Sequence, residues 1–296
     1  MRDYIIMTDS CCDLPLEYID KLNLRYAKLT CNYDGNEYVD DFGQSLGYKT
    51  FFDAMRRGVV PKTSQPSVNE FYSIFKQAID EGKDIVYVCV STGLSGTENS
   101  ANIAKNMVID EEPEAKIHIV NVLTASLGQG LMIIKAYEMK KQGATAGEIV
   151  KYIEEHRQLL NTYITVDDLH HLKRGGRLSS TAAILGIVLH IKPILTINEE
   201  GRVLPVLKVK GRKSSISKLA EIVVEKIENP EEQVIAIAHG DCLEEALKLK
   251  ESILKHVKVK DVLMNYTGPA TGTYGGPGNI AVFFMGKHRQ THIIDI

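Results

Sequence analysis

Apolar positions along the chain fall into two alternating rhythms. Apolar runs of strand length occur at Tyr4–Thr8, Arg25–Cys31, Asp84–Val90 and Ile117–Val120. Between them, apolar residues recur at helical spacing. Ser67-x-x-Glu70 is a capping box, followed by Val68, Phe71, Ile74, Phe75, Ala78 and Ile79 on one helical face. Ala101, Ile103, Ala104, Met107 and Val108 mark a second helix, Leu131–Tyr137 a third, and Thr145-x-x-Glu148 caps a fourth. Asp13 with Pro15 makes a helix start, because proline is tolerated in the first turn. Continuous apolar strands separated by helices require a parallel sheet covered on both faces. This is a three-layer α/β/α arrangement, and it is expected over residues 1–165.

After that point the rhythm changes. Ile191–Ile197 and Val203–Val209 flank Asn198-Glu199-Glu200-Gly201 and predict an antiparallel hairpin. A helix, the strand Val234–Ala238, a Leu-rich helix (Leu243, Leu247, Leu249, Leu254) and the strand Val259–Met264 follow. The expectation is a second α/β domain with a mixed sheet over residues 166–296, packed on the first without a Pro- or Gly-rich linker. A cleft between two such domains is a common ligand site.

Composition acts on this picture by exclusion. The chain has 296 residues, 35 Lys+Arg against 38 Asp+Glu and a net charge of −3, which provides no field for a general nucleic-acid binder. The opening MRDYIIMTDS lacks a signal-peptide core, and the longest apolar region, Ile184–Ile197, is interrupted by His190, Lys192 and Pro193, so no stable membrane insertion is expected. Five cysteines with no CxxC pair favour free thiols, hence a cytoplasmic protein with no metal site. His170 and His171 are adjacent, which makes them poor co-ligands.

Three loops combine small residues with hydroxyls beside the expected cleft: Pro61–Ser67, Ser91–Thr97 and the Gly-rich stretch Gly268–Gly278. The second precedes a helix, where exposed backbone amides favour an anionic group. Each loop also reads as ordinary turn and cap chemistry. Known catalytic signatures are absent. Gly93-Leu94-Ser95-Gly96-Thr97 breaks the G-x-S-x-G elbow at its last position, and neither a Walker loop nor G-x-G-x-x-G occurs. Asp9 reads as a turn-ordering carboxylate, and Cys11 and Cys12 have no activating neighbour in sequence. The basic stretches Lys173–Arg177 and Lys208–Lys213 read as solvated surface, as phosphate contacts or as a docking element, and the residues alone leave all three open.

Taken in order, these segments resemble the DegV family. The resemblance is carried by Thr8-Asp9-Ser10 with Asp13-Leu14-Pro15, Thr63-Ser64-Gln65-Pro66-Ser67 and Gly93-Leu94-Ser95-Gly96-Thr97. Arg174-Gly175-Gly176-Arg177-Leu178-Ser179, Ile191-Lys192-Pro193-Ile194-Leu195, Gly211-Arg212-Lys213 and the Gly268–Gly278 loop continue it, covering about residues 4–285. It implies a two-domain lipid-binding protein with no catalytic residues and no cofactor, which takes a long-chain fatty acid such as palmitate or oleate between its domains. It also implies that Thr63 and Ser95 hold the carboxylate; the helix N-terminal amide at Gly96 fits as a further donor, and Tyr274 is expected near the head group without being essential. The resemblance further implies a separate ATP-binding kinase subunit that phosphorylates the carboxylate, and Arg212 is then a candidate partner or phosphate contact. One departure stands out: Tyr274 occupies the place where the family commonly has His, and tyrosine donates a hydrogen bond without becoming a cation at neutral pH. The competing readings are a hydrolase or acyltransferase using Ser95 as nucleophile, and a nucleotide binder using the basic and Gly-rich loops.

Overall fold

The computed structural model describes residues 3–178 and 191–289. Ser179 and the Ile184–His190 part of the apolar run lie outside the described residues. The chain begins with β1 (Tyr4–Asp9), a 3-10 turn at Ser10–Cys12, α1 (Leu16–Leu22) and β2 (Arg25–Ala27). Next come β3 (Thr30–Tyr33), β4 (Asn36–Val39), α2 (Tyr48–Arg56), β5 (Lys62–Ser64) and α3 (Val68–Asp80). Strands β6 (Asp84–Cys89) and β7 (Ile117–Asn121) alternate with α4 (Thr97–Glu111), α5 (Leu127–Lys141) and α6 (Ala146–His156).

Strands β1, β2, β6 and β7 form an all-parallel sheet in the order β2-β1-β6-β7. Its middle strand β6 is buried at every position, so both faces are covered. Helices α3 and α4 bury Phe71, Phe75, Ala101, Ala104 and Val108 on one face, and α5 and α6 bury Ile133, Ala136, Ile149 and Ile153 on the other. The three-layer arrangement expected from the apolar rhythm is therefore present. The run Arg25–Cys31, expected as one strand, is two. It breaks at Lys28–Leu29, with β2 joining the parallel sheet and β3 a separate antiparallel sheet of order β4-β3-β5.

The second half consists of β8 (Leu160–Thr165), α7 (His170–Arg174), β9 (Ile191–Ile197), β10 (Val203–Lys210) and α8 (Arg212–Lys226). It ends with β11 (Val234–His239), α9 (Leu243–Leu254), β12 (Asp261–Tyr266), α10 (Pro269–Gly275) and β13 (Ile280–Met285). The sheet order is β10-β9-β8-β13-β11-β12, antiparallel except for β11 with β12, hence mixed as expected. The predicted hairpin is β9–β10, with a bulge between Pro205 and Leu207. Helices α8 and α9 cover one face of this sheet. The other face meets α5, so Val86 and Val88 of the parallel sheet share one hydrophobic cluster with Ala236, Ala238, Ala281 and Phe283 of the mixed sheet.

The Gly268–Gly278 segment, expected as a loop, is largely the helix α10. Pro269 fills its first turn, where the missing N–H leaves no partner unsatisfied. Its glycines serve contact rather than freedom: a Cβ on Gly272 would stand 2.8 Å from the Phe52 ring.

Candidate ligand-binding site between the two sheets

A cavity opens where the loops following the parallel strands face the mixed sheet and α10. The space open to the centre of a water-sized sphere measures about 120 Å³. The first half of the chain supplies Cys11, Leu29, Thr63, Val90, Leu94 and Ser95 to its wall, and the second half supplies Ile164, Val166, Ile197, Val203, Tyr274 and Phe283. The wall is mostly apolar, with a few hydroxyls and one guanidinium, that of Arg177. Such a lining suits a ligand with a long apolar part and a small polar head.

Each polar group reaches the cavity for a local reason. Thr63 lies on the short strand β5, paired with Cys31 of β3, and its hydroxyl stands 2.6 Å from the Tyr274 hydroxyl. Tyr274 is carried by α10, and the Arg177 guanidinium lies over its ring at 4.5 Å, a cation–π contact. Arg177 is held there by donating to the carbonyls of Leu94 at 3.0 Å and Gly175 at 2.7 Å. Ser95 sits one residue before Gly96, which caps α4. Its Oγ lies 2.8 Å from the Thr97 hydroxyl and accepts the Thr97 N–H at 3.3 Å. Gly96 itself is exposed and absent from the cavity wall; a Cβ there would meet Gln65 Oε1 at 2.3 Å. The Gln65 amide donates to the Gly96 carbonyl and to Ser100 Oγ, tying the first loop to the second.

Beneath this loop Asp9 is a brace. Its fully buried carboxylate accepts the Tyr87 hydroxyl at 2.8 Å and the amides of Val90 and Cys11, each at 3.1 Å. Burial pushes it up from the ordinary carboxylate range, against the pull of those donors. Burial and the nearby carboxylates push the thiols of Cys11 and Cys12 well up, which leaves them unreactive. Among the described residues Ser95 has no hydrogen bond to a histidine, and no group of acidic, Cys and His residues could hold a metal ion. His170 pairs with Asp168 at the surface, and His171 packs against Gly276.

Arg212 is placed away from the cavity, as the first residue of α8. It donates to Glu245 at 2.7 Å and to the Gly278 carbonyl at 2.5 Å, with Asp167 at 3.7 Å. The structure thus brings Thr63, Ser95 and Tyr274 to one cavity and leaves Gly96 and Arg212 outside its wall. It also adds Arg177, which the sequence places in a basic run and a family motif without giving it a role at the ligand. This residue lies within the basic run Lys173–Arg177, and nothing local distinguishes it from Arg174, which is exposed.

Two packed α/β units thus enclose an apolar cavity whose wall carries a few hydroxyls and a guanidinium. The family described as "Uncharacterised protein, DegV family" matches residues 4–287. The chain belongs to the DegV family. A DegV domain-containing protein of Clostridium perfringens is 42% identical over 290 residues, covering 98% of this chain and 100% of the relative. A counterpart in Streptococcus pyogenes is 35% identical over 287 residues, covering 97% of this chain and 99% of the relative. Among solved structures, a DegV family protein from Thermus thermophilus, described for its fatty acid binding, superposes with a TM-score of 0.85 at 28% identity, covering 97% and 100% of the two chains. DegV from Bacillus subtilis, described as a fatty acid binding protein, matches with a TM-score of 0.84 at 29% identity over the same shares. A Ruminococcus gnavus member refined with vaccenic acid has a TM-score of 0.85 at 27% identity, covering 95% of this chain and 99% of that one. No helix among the described residues is long and apolar enough to cross a membrane.

Proposed function

We propose that this chain binds a long-chain fatty acid, such as palmitate or oleate, in the cavity between its two sheets. The carboxylate is received by Thr63 and Ser95, with Tyr274 beside them and the N-terminus of α4 behind. The observation that carries this reading is the pairing of an apolar wall from both halves of the chain with hydroxyls and one guanidinium from Thr63, Ser95, Tyr274 and Arg177. The solved relatives described as fatty-acid-binding support it. A carboxylate accepts several hydrogen bonds, and the Arg177 guanidinium adds charge that tyrosine lacks. The tail contributes more than the head group: at about 0.8 kcal/mol per buried CH₂, ~14 methylenes give roughly 11 kcal/mol before ordering costs.

The protein is a carrier without chemistry of its own, and the acid it holds is presented to a separate ATP-dependent kinase subunit. All five cysteines are unpaired, which supports a cytoplasmic setting. Arg212 serves the partner or a phosphate only if its guanidinium is first uncovered, because Nε and Nη2 are committed to Glu245 and the Gly278 carbonyl and Nη1 is buried. Native mass spectrometry of the purified protein, followed by denaturing extraction, tests the central claim. A co-purified C16–C18 fatty acid whose occupancy falls in Thr63→Ala and Ser95→Ala is the expected result. Protein that stays empty after incubation with oleate and palmitate overturns it.

A further inference from the structure

Two carboxyl groups from the first half of the chain converge on one helix of the second. Asp13 follows the 3-10 turn after β1, and Asp40 follows β4. Asp13 accepts the Gly268 N–H at 2.9 Å, the Thr271 hydroxyl at 2.7 Å and the Ser126 hydroxyl at 2.5 Å. Asp40 Oδ2 accepts the Ala270 N–H at 2.9 Å, while its Oδ1 is buried with no partner. A Cβ on Gly268 would stand 2.7 Å from Asp13 Oδ1 and 3.3 Å from both Asp40 oxygens, so the two carboxyls press on the same Cα. Each is only 1% exposed.

Among the described residues, the ionisable groups that act most on the pair are acids, thiols and phenols. They are Asp9 at the end of β1, Cys11 and Cys12 in the turn, Asp41, Tyr26 of β2 and Tyr48 of α2. Strand β12 contributes the Asn265 amide, which donates to the Asp13 main-chain carbonyl, and α5 and α10 contribute Ser126 and Thr271. Among the described residues no Lys, Arg or His forms an ion pair with Asp13 or Asp40. Two carboxylates buried side by side without a cation cannot both ionise cheaply.

We propose that Asp13 and Asp40 form a proton-linked latch holding α10 against the first half of the molecule, and that loss of protons from the pair lets this helix lift. Helix α10 supplies Ala270, Thr271, Tyr274 and Gly275 to the cavity wall, so its lifting opens that wall. Burial, opposed by its three donors, pushes the Asp13 carboxyl up to about 7. Burial first, and the charge of Asp13 second, hold Asp40 well above the usual carboxylate range. In the lifted state both reach water and return to about 3.9. The latched state therefore binds protons more tightly. Lifting becomes easier as pH rises from about 4, and the share due to Asp13 levels off above about 7.

Hydrogen–deuterium exchange of the α10 amides tests this on the protein alone, without any lipid, so the result is separate from the ligand reading. After correction for the chemical exchange rate, the opening of α10 in the unmodified protein is expected to rise between about pH 5 and 7 on the order of tenfold per pH unit for each proton the closed pair holds. Asp13→Asn and Asp40→Asn should each flatten that rise, and the double variant should abolish it. Amides of the interior strand β13 should keep one profile in all four proteins. A flat profile in the unmodified protein, or an undiminished slope in Asp40→Asn or in the double variant, overturns the latch. If Asp13→Asn fails to fold, the unmodified protein and Asp40→Asn decide the matter between them.

Discussion

As the proposed donors to the carboxylate, Ser95 and Tyr274 differ in the partners their hydroxyls already have. The Tyr274 hydroxyl is matched to Thr63 at 2.6 Å, whereas the Ser95 hydroxyl has Thr97 at 2.8 Å and sits at the start of a fifteen-residue helix. A hydrogen bond to a charged group contributes roughly 1.5–3 kcal/mol. Ser95→Ala is expected to weaken oleate binding by about tenfold or more, measured by displacement of a fluorescent fatty acid. Tyr274→Phe should weaken it less, since Thr63 and Arg177 remain; the opposite ranking would make Tyr274 the principal donor. Packing predicts a different kind of failure at Gly272. Its missing Cβ makes room for the buried Phe51 and Phe52 rings, at 3.2 and 2.8 Å, so Gly272→Ala should lower stability by about 1–3 kcal/mol in denaturant titrations.

Among the elements, the two helices that begin with capping boxes in the sequence behave differently. In α6 the box is complete, with Thr145 and Glu148 each bonded to the other's backbone. In α3, Ser67 accepts the Glu70 N–H at 3.1 Å, but the Glu70 carboxylate turns away to accept the Lys28 N–H at 2.7 Å. Ser67→Ala should lower stability by about 1 kcal/mol, as a shift in denaturant midpoint. Glu70→Ala should loosen the chain where β2 hands over to β3, seen as faster exchange at Lys28. That Glu70 bond lies where the single expected strand Arg25–Cys31 divides, and no local pattern shows it because its partners are 42 residues apart. Helix α2 was not expected, although Phe51, Phe52 and Met55 mark its buried face. Strand β8 is hidden in the sequence because Asn161 and Thr162 interrupt its apolar run, yet both are buried by its neighbours β13 and β9. The glycines of α10 conceal a helix whose start, Gly268-Pro269, is an ordinary sequence signal. The site divides in the same way. Thr63, Ser95 and Tyr274 belong to contiguous motifs, whereas the apolar wall and the inward turn of Arg177 are products of tertiary contact.

At the scale of the whole molecule, the two sheets are bound by more than the latch. The Arg289 guanidinium, 4% exposed, donates to the carbonyls of Leu160 at 2.8 Å, Leu123 at 2.7 Å and Asn198 at 3.3 Å. It thereby ties the end of the first sheet to β8 and to the β9–β10 turn. Arg289→Met should strand those carbonyls and lower stability by roughly 1–3 kcal/mol. Because α5 packs on β1 and β6 on one side and on β11 and β13 on the other, thermal unfolding should show a single transition, with coincident midpoints from circular dichroism and calorimetry. Two separated transitions would mean that the halves melt independently. A Cβ on Gly128 of α5 would stand 2.7 Å from the Phe283 ring, so this helix and the mixed sheet are in direct contact along its first turn. A gene divided between α6 and β8 would accordingly yield two sticky fragments, each displaying half of one core. They should become soluble only when made together in the same cell, as mutual chaperones.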